Sequence, residues 1–152
     1  MMIMSHVVSS SSFTMAVFLV YLFLFSLLPM GRLKIGSLNI NGGRDRCKRA
    51  LVAEVVKQKN IDVLFLQETH SDPDNEVEWG IWWEGQCKLS HGTNLSGGVA
   101  VLFNKRCNPK VLSTVELVGG RCLIVRVEIE GYVYCFGSIY AHNLGADRLV
   151  FF

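Results

Sequence analysis

The chain has 152 residues, enough for one domain and too few for two ordinary ones. A net charge of +2 gives no broad electrostatic footprint for nucleic acid, although a local basic patch remains compatible with it. Its five cysteines, odd in number and without a C-x-x-C spacing, argue against a zinc site or a disulfide framework and read as reduced thiols packed as small apolar groups.

The charges are unevenly spread: all 15 Lys and Arg and all 13 Asp and Glu lie at or after Arg32. This divides the chain into an uncharged segment, 1–31, and a domain, 32–152. Residues 13–30 are apolar except for Thr14 and Ser26. About 20 apolar residues cross a bilayer as a helix, so the run is marginal for spanning, and it lacks the polar face of a soluble core helix. Three readings stay open: a membrane anchor or uncleaved signal, a cleaved secretory signal, and a translated upstream stretch with no role in the domain. Insertion would leave the domain on the cytoplasmic side, because Arg32 and Lys34 follow the run. Asn94-Leu95-Ser96 is a glycosylation acceptor pattern that matters only in a lumenal location.

Residues 33–39 read as a strand, broken by Asn41-Gly42-Gly43. A helix is expected from Asp45 to Lys59. Cys47, Leu51 and Val55 form its apolar stripe with Val52 and Val56 beside it, and Arg46, Lys48, Arg49, Glu54 and Lys57 face outward. Asn60 suits the left-handed stop. Residues 61–66 are apolar apart from Asp62, as in a strand buried on both faces, so strand–helix–strand predicts a parallel pair. After a polar loop, 71–78, come three tryptophans (Trp79, Trp82 and Trp83), read as core and loop anchors. Val99-Ala100-Val101-Leu102-Phe103 follows Gly97-Gly98. Val125, Val127 and Ile129 alternate with polar residues before a turn at Glu130-Gly131, an antiparallel hairpin signal. The fold class is α/β with a mixed sheet.

Polar clusters follow three of these strands: Asn39-Ile40-Asn41, Gln67-Glu68-Thr69-His70 and Tyr140-Ala141-His142-Asn143. Sites in α/β sheets gather at the carboxyl ends of strands, so the three clusters converge if the strands are neighbours. Burying the Glu68 carboxylate is costly without a partner. A hard divalent cation would offset that cost, and so would a loop cap or an arginine. Arg44, Arg46, Lys48 and Arg49 could meet phosphates, or form the solvated face of the helix.

The runs Leu38-Asn39-Ile40-Asn41-Gly42, Leu66-Gln67-Glu68-Thr69-His70, Ser96-Gly97-Gly98-Val99-Ala100-Val101-Leu102 and Ile139-Tyr140-Ala141-His142-Asn143 resemble, in order and spacing, motifs of the endonuclease/exonuclease/phosphatase (exonuclease III-like) superfamily. The resemblance is nearest to the endonuclease domain of non-LTR retrotransposons and covers about 120 residues. It implies a four-layer α/β sandwich, of which this chain carries the front half, and cleavage of a phosphodiester in DNA with Mg2+ or Mn2+. Glu68 would hold the metal, Asn39 would orient the phosphate or a metal-bound water, and Tyr140 and Asn143 would contact the scissile phosphate. It also implies a nuclear or cytoplasmic location. His142 stands where the family usually has proline. The family's Asp-x-Asn pair, later metal-site aspartate and Asp-His pair would fall beyond Phe152. A truncated domain is therefore expected, with the inner face of its first sheet exposed, marginal stability and no nuclease activity. A non-catalytic relic that binds nucleic acid, or a membrane-attached phosphatase or phospholipase of the same superfamily, are the other readings. Nothing in the sequence points to a homo-oligomer.

Overall fold

Successive side chains of a strand face opposite ways, so Val63-Leu64-Phe65-Leu66 needs apolar cover on both sides. The computed structural model describes residues 33–141 and supplies both covers. Its strands and helices, in chain order, are β1 Ile35–Asn39, α1 Arg46–Lys59, β2 Val63–Gln67, α2 Glu76–Trp82, β3 Gln86–Ser90, β4 Val99–Phe103, β5 Lys110–Val118, β6 Cys122–Ile129 and β7 Tyr132–Ile139. The first sheet is mixed, in the order β1-β2-β4-β3, and the second is antiparallel, in the order β5-β6-β7. β1 and β2 are parallel, as expected from the strand–helix–strand pattern, and β4 runs antiparallel to both β2 and β3.

One face of the first sheet, through Leu38, Leu64, Leu66, Ala100 and Leu102, packs on Val52 and Val56 of α1 and on Trp79 and Trp83. The other face, through Val63, Val99, Val101 and Phe103, packs on Leu123, Val125, Val127, Ile129 and Phe136 of the second sheet. The result is a partial α/β sandwich: helices, mixed sheet, antiparallel sheet. Each such side chain contributes about 1.5–3 kcal/mol when fully buried, so β2 and β4 form the stability centre. The expectation that the inner face lies exposed is corrected here, because β6 and β7 already cover it. Exposed apolar groups lie instead at Leu112, Val115, Leu117 and Val118 of β5 and at Tyr132 and Val133 of β7.

Local chemistry explains the element ends. Asp45 caps α1 by accepting from the Cys47 and Lys48 amides, and Asn60 ends it in the left-handed region at φ 54°. Glu130 and Gly131, at φ 52° and 80°, make the tight turn between β6 and β7. Three readings from sequence change. The buried stripe of α1 is Arg49, Val52 and Val56, while Cys47 and Leu51 are exposed. The helix turns this way because Arg49 lies under Trp79, 5.7 Å from its ring, and donates to Gly43 O and Glu78. The stretch read as a loop contains a 3-10 turn, Pro73–Asn75, capped by Asp72, and then α2. The tryptophans are anchors: Trp79 and Trp83 are buried, and Trp83 Nε1 donates to Phe103 O at 2.9 Å. All five cysteines are free, but Cys47 and Cys135 are exposed rather than packed.

Candidate functional site

The parallel ladder between β1 and β2 runs on past the strands. Asn39 is paired with Gln67, after which Ile40 N donates to Gln67 O at 3.0 Å, Gly42 N to Glu68 O at 2.7 Å and Gly43 N to Thr69 O at 2.7 Å. Three non-glycine residues here, Asn41, Glu68 and His70, sit in the left-handed region at φ 43°, 51° and 50°. Each such residue costs on the order of 1–3 kcal/mol and persists only where its surroundings over-determine it. The surroundings do so. Thr69 N donates to Gly98 O and His70 N to Gly97 O, both at 3.0 Å, and the buried Thr69 hydroxyl meets Ser71 Oγ at 3.0 Å. Gly98, at φ 83°, admits no side chain, since a Cβ there would overlap Thr69 Oγ1. The glycine pair thus clamps the Glu68 loop.

The clamp reaches the second sheet. Gly98 N donates to Gly120 O at 2.8 Å, and next along the chain Arg121 O accepts from Tyr140 N at 2.8 Å. Ser138 Oγ donates to Leu66 O at 3.3 Å, and the Tyr140 phenol donates to Glu68 Oε1. The convergence read from sequence therefore has a different geometry: β1 and β2 are neighbours, whereas β7 belongs to the other sheet and meets β2 face to face. Burial, the hydrogen bond to Glu68 and the carboxylate's charge push the Tyr140 phenol up to about 12. It is a neutral O–H donor throughout the physiological range.

Glu68 Oε2 faces His70 Nε2 at 3.8 Å, beyond hydrogen-bond reach, and that nitrogen is buried without a hydrogen-bond partner among the described residues. Asn39 lies at the adjoining strand end, exposed, with Oδ1 accepting from Asn41 N at 3.0 Å. Asn143 and His142 lie outside the described residues. So do residues 1–32; among the described residues no helix is long and apolar enough to cross a membrane.

Oxygen donors suit magnesium or manganese, which bind through one or two carboxylates and keep several waters. Glu68 offers a carboxylate oxygen with no hydrogen bond of its own among the described residues, and the Asn39 amide oxygen keeps one lone pair. By donor type, a carboxylate oxygen and an amide oxygen are ligands such an ion takes. No group of three or more His, Cys, Asp or Glu gathers around a metal-sized site among the described residues, so water and substrate oxygens would complete its shell.

The four basic candidates separate. Arg44 pairs with Asp72 and donates to His70 O, and Arg46 is exposed on α1. Lys48 Nζ donates to Ile40 O at 3.2 Å and Asn41 O at 2.5 Å. Arg49, expected to face outward, is a buried anchor: its guanidinium donates to Gly43 O and Glu78 and lies against the Trp79 ring, with Nη2 buried and without a hydrogen-bond partner among the described residues. Sequence reasoning placed Thr69 and His70 in the cluster but gave neither a role. The sign available was the polar run that follows a buried strand, which has to be accommodated by backbone clamps rather than by solvent.

An α/β sandwich with a carboxylate and a phenol joined at its strand ends defines a class, and comparison with known proteins gives the family. The chain belongs to the Endonuclease/Exonuclease/phosphatase family, whose profile matches residues 36–149. It is 38% identical over 120 residues to the Transposon TX1 uncharacterized 149 kDa protein of Xenopus laevis, covering 79% of this chain and 9% of that one. Solved structures share the fold. TDP2 from Caenorhabditis elegans aligns with TM-score 0.53 at 23% identity, over 74% of this chain and 36% of that chain. D. rerio TDP2, solved with a single strand DNA product, aligns with TM-score 0.55 at 18% identity, over 74% and 47%. The chain thus spans less than half the length of each of these proteins.

Proposed function

We propose that residues 33–141 form part of a retroelement-type endonuclease domain that cleaves a phosphodiester of DNA with the help of Mg2+ or Mn2+. The single observation that carries this reading is the contact between Glu68 and Tyr140, two side chains from different sheets joined at a rim that the backbone strains to build. The transposon relative and the solved neighbour with bound DNA product support the substrate class.

In this reading Glu68 is the metal-holding carboxylate, and the bound ion would supply Lewis-acid stabilisation of the phosphoryl oxygens. Tyr140, protonated at working pH, keeps the carboxylate oriented and offers an O–H donor where charge develops on a phosphate. Asn39 and Asn143 orient the phosphate from neighbouring loops. Arg44, Arg46 and Lys48 give weak positioning contacts to the strand. Because the chain spans only part of its relatives' length, the reading assigns cleavage to a longer polypeptide that carries the family's remaining motifs, with the 152-residue chain alone binding the ion weakly without turnover.

Nicking of supercoiled plasmid in magnesium tests both parts. The 152-residue chain should leave plasmid intact, and nicking that disappears in Glu68→Ala would refute the inactivity. In the longer polypeptide Glu68→Ala should cut the rate about a hundredfold or more. An unchanged rate there would remove Glu68 from the site and the endonuclease reading with it. A non-catalytic nucleic-acid-binding relic is the second reading, favoured by the metal shell being incomplete among the described residues. DNA binding without any nicking by the longer polypeptide would select it.

A further inference from the structure

Beside the Glu68 rim lies a groove of about 220 Å³ lined by Asn41, Gly42, Arg44, Asp45, Lys48, His70 and Asn94. That is the volume of roughly seven waters, room for a phosphate group with part of its hydration. Gly42, at φ 97°, leaves one wall bare; a Cβ there would sit 3.3 Å from His70 Nδ1 and 4.0 Å from Lys48 Nζ. The imidazole and the ammonium therefore flank a gap that any other residue would fill. The opposite edge of the same ring faces Glu68, so His70 is the partition between groove and carboxylate.

The charges around the groove decide what it would take. Arg44 is answered by Asp72. Asp45 accepts from the Cys47 and Lys48 amides through Oδ1 alone, so the helix terminus is already capped and contributes no vacant anion site of its own, and the Asp45 charge stays at the groove's edge. Lys48 differs. An ammonium has three donors, and two are spent on the carbonyls of Ile40 and Asn41, which leaves the third. Lys48 makes no ion pair among the described residues. A second pocket of about 290 Å³, lined by Glu84, Gly85, Gln86, Asn104, Lys105, Asn108 and Pro109, is larger, but Glu84 answers its Lys105 at 2.6 Å. Size does not distinguish the two; the unanswered ammonium does.

We infer that this groove is a phosphate subsite. It takes the backbone phosphate next to the one handled at Glu68 and Tyr140, with Lys48, His70 and Asn94 as its contacts. The inference rests on the endonuclease reading for its ligand and makes the groove the device that sets strand position before chemistry.

The test uses the 152-residue chain in a metal chelator, with fluorescence anisotropy of a short labelled single-stranded oligonucleotide. Lys48→Met should weaken binding about tenfold and flatten the slope of log affinity against log salt by roughly 0.7. Lys48→Arg should restore most of it. Lys110→Met removes the same charge from β5, far from the groove, and should change far less. Because Lys48 also ties down the 40–41 backbone, Asn94→Asp serves as the second variant. It puts a negative charge at the rim without touching those bonds and should also weaken binding. If Lys48→Met and Asn94→Asp both behave like Lys110→Met, the subsite is overturned while the endonuclease reading stands on the nicking assay. Inorganic phosphate, followed through the Gly42 amide resonance, separates the sources. A shift that is lost in Asn94→Asp, without oligonucleotide binding, keeps the phosphate site and sinks the nucleic-acid reading. No response to either probe overturns the subsite.

Discussion

The two ends of β2 carry carboxylates of nearly equal burial and opposite circumstance. Asp62, just before the strand, has a side chain 13% exposed; Glu68, just after it, has one 17% exposed. Asp62 is saturated: Oδ2 accepts from Lys34 N at 2.7 Å and Oδ1 from Arg106 Nε at 2.6 Å, while Arg106 also reaches the Asn60 carbonyl. Among the described residues Glu68 receives one hydrogen bond, from Tyr140, and its other oxygen faces an imidazole nitrogen that itself has no hydrogen-bond partner there. Burial cannot tell a structural acid from a functional one, but the satisfaction of its oxygens can. A buried carboxylate left short of partners carries a cost that the fold accepts at one place and avoids at the other.

Substitutions can break this contrast in order of size. Gly98→Ala should cost most, on the order of 3 kcal/mol in urea unfolding. It adds left-handed strain and forces Thr69 away, and the Glu68 loop should shift with it. Asp62→Ala should cost about 2 kcal/mol, because it strands Arg106 and the Lys34 amide; Arg106 is partly exposed, which keeps the loss below that of a fully buried pair. Glu68→Ala should change stability by less than about 1 kcal/mol, since one hydrogen bond is lost and an under-satisfied charge is relieved. If Glu68→Ala proves as costly as Asp62→Ala, the contrast fails. The smallest effect is in pH. The Tyr140 phenol titrates at about 12 in the folded chain against an ordinary value near 10, so its contribution is whole below pH 10 and fades as pH rises toward 12. Tyr140→Phe should flatten the stability profile in that window alone, measurable by unfolding at stepped alkaline pH.

Much of this was legible in the residues. The two-faced apolar run of β2, the alternation in β6 and the Glu130-Gly131 turn fixed the class and the hairpin, because periodicity is a local property. Which helix face is buried was not legible, since α1 carries two adjacent apolar stripes and the choice depends on where Arg49 finds Glu78 and Gly43 O, partners 29 and 6 residues away. β5 escaped notice because its residues are mostly exposed and lack a buried alternation. The polar ends of β1, β2 and β7 could be picked out as a group. That Tyr140 approaches from the opposing sheet could not, because pairing between sheets leaves no mark in spacing.

Manganese binding followed by electron paramagnetic resonance on the purified 152-residue chain addresses the central claim most directly. Glu68→Gln should weaken binding at least about tenfold while Asp62→Asn, equally buried, leaves it near that of the native chain. Equal binding by Glu68→Gln and the native chain, or a loss confined to Asp62→Asn, would contradict the account.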